Sequence, residues 1–526
     1  MNGTMDGMPS RVAAPLAGVA AGAVTLGAAE LLALLWTRSG NAGGTPSPLL
    51  AVGGAFVDRT PLWLKNLAVD LFGTNDKIAL FVGMGLTLAI VCALLGVVAT
   101  RWRTTGLLLF ALVGIVGSSA VLTRAGSEAL DVLPTVLGTL AGLGVLAWLA
   151  RKAAHAESPL DPEQRADPSR RGVLMWGAGL TVLGLAGTYV GRTLGQAQQR
   201  VQLARQDLTS RLAGGPVTAN SVTIPDNADF KLEGITRYVT PNDTFYRIDT
   251  ALSVPQVDPD TWSIRVHGMV DTEIEMSFEE LMQQEMIETV VTLCCVSNQV
   301  GGNLIGNAVW TGWPVRELLA RAGVQDGADM VLSMSTDGFT AGTPLEALTD
   351  DRDAILAVWM NGEPLPAEHG FPVRVVVPGL YGYVSATKWV VDLEVTRFDA
   401  AEGYWTPRGW SALGPVKVQS RIDVPRPGDD VSAGASVIAG VAWDQHTGVD
   451  TVEVRVDDGD WQEAELSGEV TIDTWRQWRL DWDAPAGDHT IAVRATGRDG
   501  ETQTEQTAPP APDGATGWHT IDVTVA

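Results

Sequence analysis

Five stretches close to the N-terminus are apolar enough, and near enough to the ~20 residues a bilayer requires, to be read as membrane-crossing helices. They are Val12–Trp36, Ile78–Thr100, Thr105–Leu122, Leu130–Leu149 and Val173–Leu194. In lipid a helix satisfies its own backbone groups, so these runs predict a five-helix α bundle over residues 1–198. Arg101 and Arg103 lie between the second and third runs, and Arg151, Lys152, Arg165, Arg170 and Arg171 between the fourth and fifth. Basic loops stay cytoplasmic. The N-terminus is then inside, and everything after Leu194 lies beyond the membrane. Arg170-Arg171 also has the form of a twin-arginine export signal, placed before the last span. Glu30 sits within the first run, where an acid is costly unless it faces the bundle interior. The segment Pro61–Phe72 is amphipathic and is expected along the interface.

The remainder of the chain is of another kind. The formal charge of −25 falls mostly after residue 200, which argues against a nucleic-acid partner. Arg200–Leu212 shows helical spacing and is read as a helix leaving the membrane, within a linker region 199–218. None of the six histidines falls in an apolar run, so a bis-histidine haem within these helices is excluded. The three cysteines make no disulfide framework and no CxxC pair.

Two of those cysteines are adjacent. The β-branched run Thr289–Leu293 reads as a buried strand, and it ends in Cys294 and Cys295. A polar, glycine-rich loop follows, with Ser297, Asn298, Gly301, Gly302 and Asn303. A thiol is thereby placed where a rigid strand becomes a loop. Downstream, His369-Gly-Phe-Pro-Val-Arg374-Val-Val-Val-Pro-Gly379 runs on to Thr387-Lys388-Trp389. Short strands (Trp262–Val266, Val331–Met334, Val373–Val377, Trp389–Val395) alternate with short helices (Ser277–Gln284, Pro314–Ala322, Leu345–Leu348), an α+β pattern over 219–414.

The cysteine-loop segment and the HGFPVR run resemble the sulfite oxidase family of molybdopterin enzymes, from about Ala219 to the C-terminus. The resemblance implies a molybdopterin-binding domain at 219–414 with Mo-molybdopterin as cofactor. It makes Cys295 the metal ligand and Cys294 a neighbour on the other side of the strand. It names Cys295, Asn298 and Arg374 as catalytic. Arg374 and Lys388 would hold the pterin phosphate with help from His369 and the backbone of Ala386 and Thr387. Asn242, Phe245, Tyr246 and Arg247, in Tyr238-Val-Thr-Pro-Asn-Asp-Thr-Phe-Tyr-Arg247, match the family's cofactor-contacting stretch, and Ser335 and Asp337 are further contacts. Where sulfite oxidases carry arginines after the loop Asn, this chain has Gln299 and Val300, and Phe339 takes the place of the active-site tyrosine.

From 415 to 526, short alternating strands punctuated by Asp458-Gly459 and Asp499-Gly500 give the pattern of an immunoglobulin-like sandwich. It resembles the family's dimerisation domain. Trp443, Trp461, Trp475, Trp478 and Trp482 are expected as core and strand-face residues rather than a sugar platform. The reading as a whole is a membrane-anchored molybdenum oxidoreductase facing outward. It would transfer oxygen atoms to or from a small-molecule oxo substrate and exchange electrons with an external cytochrome or quinone-linked carrier, with a homodimer as an option. Sulfite dehydrogenase proper, a sulfoxide reductase, and a surface binding protein with a degenerate molybdenum domain are the alternatives.

Overall fold

The computed structural model describes residues 8–39, 44–61, 64, 67, 71–72, 76–124, 126–156, 168–193, 196–212 and 215–526. Much of Pro61–Phe72, Asp70, Arg165 and the side chains of Arg170 and Arg171 lie outside the described residues. The chain divides into two compact units, Met1–Gln199 with Ala251–Ser253, and Arg200–Thr250 with Val254–Ala526.

The first unit is helical: α1 (Met8–Arg38), α2 (Pro48–Arg59), α3 (Asp76–Arg101), α4 (Arg103–Leu122), α5 (Leu133–Ala156) and α6 (Pro168–Thr193). Four helical stretches among the described residues are long and apolar enough to cross a membrane: Val12–Thr37, Lys77–Arg101, Arg103–Leu122 and Ala129–Lys152. The fifth run of the sequence lies in α6, which is not among these four. Helix α1 packs on α3, α5 and α6. Small residues permit this: a Cβ on Gly18 would overlap the Cys92 carbonyl, and one on Gly96 would overlap that of Ala14. Close backbone approach of this kind is how helices associate in lipid. Glu30 is 3% exposed and faces inward. It accepts from the Ser47 hydroxyl at 2.8 Å and the Leu49 N–H at 3.2 Å, next to the start of α2.

The second unit is β-rich and takes in most of α7 (Gln196–Arg211). A mixed sheet runs β2 (Ile274–Ser277), β1 (Ser263–Gly268), β10 (Val390–Thr396), β5 (Met330–Ser335) and β6 (Thr340–Pro344). In it β1 and β10 are parallel, with Arg265 opposite Asp392, and the other pairs are antiparallel. A second sheet runs β3 (Ile287–Cys294), β4 (Ile305–Pro314), β7 (Ile355–Met360) and β8 (Glu363–Pro364), with β9 (Arg374–Val376) also on β7. Helix α8 (Val315–Ala322) buries Val315, Leu318, Leu319 and Ala322 in the core between them.

Two four-stranded antiparallel sheets complete the chain and share one apolar core. One holds β11 (Gln419–Val424), β12 (Gly434–Trp443), β16 (Arg476–Ala484) and β15 (Glu465–Leu466). The other holds β14 (Gln462–Glu463), β13 (Val449–Val456), β17 (Gly487–Gly497) and β18 (His519–Val525). Trp443, Trp475, Trp478 and Trp482 are buried. Trp461 is half-buried, edge-on to Trp518 at 4.9 Å and covered by Arg494 at 4.3 Å.

Candidate active site

Strand β3 positions the thiol. It sits at the edge of its sheet, hydrogen-bonded to β4 alone among the strands, yet Thr289–Cys294 are all buried. The two-residue period of a strand sorts its side chains. Val291 and Leu293 join Phe245, Trp310 and Phe371 on one side. Val290 and Cys294 join Tyr238, Tyr381, Trp443 and Trp475 on the other. Cys295 continues the first series. Its N–H donates to Leu304 O at 2.9 Å, and its carbonyl accepts from Asn298 N at 3.0 Å, which closes the loop behind it. Both thiols are free.

Cys295 opens on a pocket of ≈ 910 Å³, counted out to its mouth. One part of the wall is polar: Ser297, Ser335, Asp337, Asp249, Arg374 and Lys388. Another is aromatic: Phe245, Tyr246, Phe339, Tyr383, Trp389, Trp405 and Trp410. Of the residues singled out in the sequence, Phe245, Tyr246, Cys295, Ser335, Asp337, Arg374, Ala386 and Lys388 lie on this wall. Asn242, Arg247, Asn298, His369 and Thr387 are not on the wall and bond around it. The Asn242 carbonyl accepts from His369 Nε2 at 3.0 Å, and Thr387 Oγ1 is 2.7 Å from Ser333 Oγ. Arg247 pairs with Asp249 at 2.9 Å, and Asn298 Oδ1 accepts from Leu304 N at 2.8 Å. Asp249, Ser297, Tyr383, Trp405 and Trp410 are wall residues that sequence reasoning did not select.

The electrostatics call for an anion. Arg374 is 3% exposed, and no carboxylate among the described residues lies within ion-pair distance of it. Its guanidinium has only carbonyl partners, including His369 O at 3.2 Å and Ala386 O at 3.4 Å, and lies 5.0 Å from the Trp310 ring. Burial pulls it down to about 10. Lys388 bonds Glu368 O at 3.0 Å and Asp249 at 3.3 Å, and burial brings it down to about 8. A buried cation with no matching charge is costly, and a bound anionic group removes that cost. Burial and the two cations push His369 down to about 3, so the ring is neutral. Its Nε2 donates to a carbonyl, which leaves Nδ1 a buried acceptor without a partner. Asn298 Nδ2 is a buried donor in the same condition. Burial raises the Cys295 thiol, and the N–H and hydroxyl of Ser297 and the charge of Lys388 act against that rise. Burial and the two nearby cysteines push the Tyr246 phenol well up.

Comparison with known proteins matches residues 251–405 to the oxidoreductase molybdopterin binding domain. Oxidoreductase YuiH of Bacillus subtilis is 33% identical over 157 residues, 30% of this chain and 76% of that one. The chain belongs to the sulfite oxidase family. Its matched domain binds molybdopterin, and its cofactor is Mo-molybdopterin. Human mitochondrial sulfite oxidase, another member, is 32% identical over 319 residues, 51% of this chain. The chain spans only 58% of that relative's length. Among solved structures, the sulfane dehydrogenase SoxCD of Paracoccus pantotrophus aligns at 22% identity with a TM-score of 0.49, covering 60% of this chain and 89% of that one. The cofactor of the family fits what the pocket offers: a soft thiol for the metal, buried cations for a phosphate, and unpartnered donor and acceptor atoms nearby.

Proposed function

We propose that this chain is a membrane-anchored oxidoreductase that moves an oxygen atom, with two electrons, to or from a small uncharged substrate on the extracytoplasmic side. The observation that carries this reading is the division of the pocket wall. Its cations, Arg374 and Lys388, are buried and already turned toward carbonyls and Asp249. The rest of the wall is rich in aromatic rings. Gln299 and Val300 are not on the wall, and Phe339 brings a ring without a hydroxyl. An oxyanion such as sulfite would meet few free donors there, whereas a sulfoxide or thioether with an apolar body would be desolvated by the rings.

In this reading Cys295 is the protein ligand, and Arg374 and Lys388 bind the pterin phosphate with His369 and the Ala386–Thr387 backbone behind them. Phe245 and Tyr246, stacked at 5.3 Å, close one side. When bound, the molybdenum cofactor supplies the two-electron oxo-transfer chemistry. The protein's residues hold it, exclude water and orient the substrate. The apolar helices anchor the chain, and the twin-arginine segment Arg170-Arg171 exports it after folding. Residues 219–414 form the catalytic domain, and 415–526 form an immunoglobulin-like sandwich that can also serve a homodimer. An external cytochrome or quinone-linked carrier takes or gives the electrons.

The test is metal and pterin analysis of the purified protein, with steady-state assays on sulfite and on methyl phenyl sulfoxide. About one molybdenum per chain, with the sulfoxide turned over faster, is the expected result. Faster turnover of sulfite sinks the substrate reading and leaves a sulfite dehydrogenase.

A further inference from the structure

The loop that follows Cys295 lies against the C-terminal sheets, and two side chains there reach it. Arg421, on β11, is 7% exposed. Its Nη1 donates to the Gly302 carbonyl at 2.7 Å. Its Nη2 donates to Thr236 Oγ1 at 2.8 Å, and its Nε pairs with Asp423 at 2.7 Å. Asp423 in turn accepts from Thr236 N at 3.0 Å. The guanidinium is thereby held on three sides, and its direction toward Gly302 is fixed. His519, on β18, accepts from the Ile422 N–H at 2.9 Å through Nδ1. That bond orients a ring on which Gly301 rests directly: a Cβ there would overlap the imidazole, and Gly301 has φ +74°. Only glycine meets both conditions.

From Gly302 the constraint runs back to the thiol through short bonds. Gly302 N donates to Gln299 O at 2.8 Å, and Asn298 N donates to Cys295 O at 3.0 Å. Leu304, two residues further on, is held by Asn298 Oδ1 at 2.8 Å and by Cys295 N at 2.9 Å. The body of β3 has its own clasps on the same side. Thr292 N donates to Asp473 O at 3.0 Å, Gln445 Nε2 donates to Thr292 O at 3.1 Å, and Trp475 N donates to Thr292 Oγ1 at 2.8 Å. The strand is therefore secured without Arg421, whose distinct contact is with the loop.

We infer that Arg421 and His519 are positioning residues for the molybdenum-ligating cysteine, so that the C-terminal domain sets where the Cys295 sulfur sits and is part of the metal site. Partners that orient a metal ligand change metal affinity or activity by about 10–100-fold when removed. In the full-length, cofactor-loaded protein, Arg421→Met removes the donors and keeps the stem. Arg421→Lys keeps one donor, and His519→Ala takes away the ring beneath Gly301. Arg421→Met is expected to lower kcat by about ten-fold or more with KM within about two-fold, and to shift the g-values of the Mo(V) EPR signal. His519→Ala should shift the signal in the same sense by less, and Arg421→Lys should recover part of it. In cofactor-free protein carrying Cys294→Ser, iodoacetamide should label Cys295 faster once Arg421 is Met, because the loop loosens. A signal and a labelling rate unchanged from wild type, in whichever of the three variants folds, overturns the inference. Loss of molybdenum from the wild-type protein itself would instead strike at the cofactor assignment.

Discussion

The two faces of β3 carry the same residue type to opposite ends. On one face Val291 and Leu293 lead to Cys295, which opens on a pocket with charged and polar groups. On the other, Val290 and Cys294 are packed among Tyr238, Tyr381, Trp443 and Trp475. Burial drives the Cys294 thiol well above the ordinary thiol range, and the neighbouring Cys295 adds to that. Burial raises Cys295 too, but Ser297 and Lys388 oppose the rise. Adjacent sulfurs thus have unlike environments, because a strand turns successive side chains to opposite faces. Reactivity here is set by the face, not by the residue.

Exchanging the sulfurs tests this most severely. On the ligand role proposed for Cys295, Cys295→Ser exchanges a soft donor for a hard one and is expected to lower turnover by more than about 10³-fold, read by steady-state kinetics and molybdenum content. Cys294→Ser should keep turnover within about two-fold while costing about 1–3 kcal/mol of stability, from a hydroxyl placed among apolar groups. The reverse result would exchange the roles of the two faces. Arg374→Met probes the pocket face with two opposite signs. Molybdenum and pterin content should fall by about ten-fold or more. The cofactor-free variant should melt higher than cofactor-free wild type, since an unmatched buried cation is gone. On the aromatic wall, Trp410→Ala should raise KM for methyl phenyl sulfoxide by about ten-fold, since ring burial there is worth about 1–3 kcal/mol. A drop in kcat alone would place Trp410 elsewhere in the reaction.

Much of this was legible in the chain, and the rest was hidden for physical reasons. The β-branched run before the cysteines announced β3, and the HGFPVR run announced a basic, buried site. Hydrophobic patterning placed most strands within a few residues, although the stretch after Asp458-Gly459 forms two short pieces either side of Ala464, which is buried. The aromatic wall was not legible. Trp405 and Trp410 come from the irregular stretch around Thr406–Arg408, where no period exists to assign a face. Rings link there at 6.3 Å, and Trp410 meets Tyr383 at 5.9 Å, a contact between residues far apart in sequence. Asp249 was hidden in the same way, since its value lies in Lys388, which is distant along the chain. Polar residues in loops and at strand ends read alike whether they face a cofactor or brace a loop, so Asn242, Asn298 and His369 could not be separated from Ser335 and Asp337 by sequence alone.

The structural face of β3 also borders a group whose contribution to the pH dependence of stability can be isolated. Gln445, which clasps Thr292, belongs to a turn whose first residue is Asp444, with the Asp444 carbonyl accepting from Gly448 N at 2.7 Å. The Asp444 carboxyl is buried, and burial together with Asp499 and Glu501 raises it from 3.8 to about 7. Between those two values the folded protein holds a proton that the unfolded chain has released. Linkage then makes stability fall as pH rises from 3.8 to about 7, with no further loss from this group above it. Asp444→Asn removes the group that titrates. The variant should match wild type near the low end of the window and exceed it by about 1–3 kcal/mol above the high end, allowing for partial solvation of the site. Thermal or urea midpoints of the detergent-solubilised protein, taken across that window, measure the difference. Parallel pH curves for the two proteins would show that the turn beside β3 does not feel this carboxyl. Curves that converge on the acidic side would assign this part of the pH dependence to Asp444, beside the face of the strand that carries Cys294.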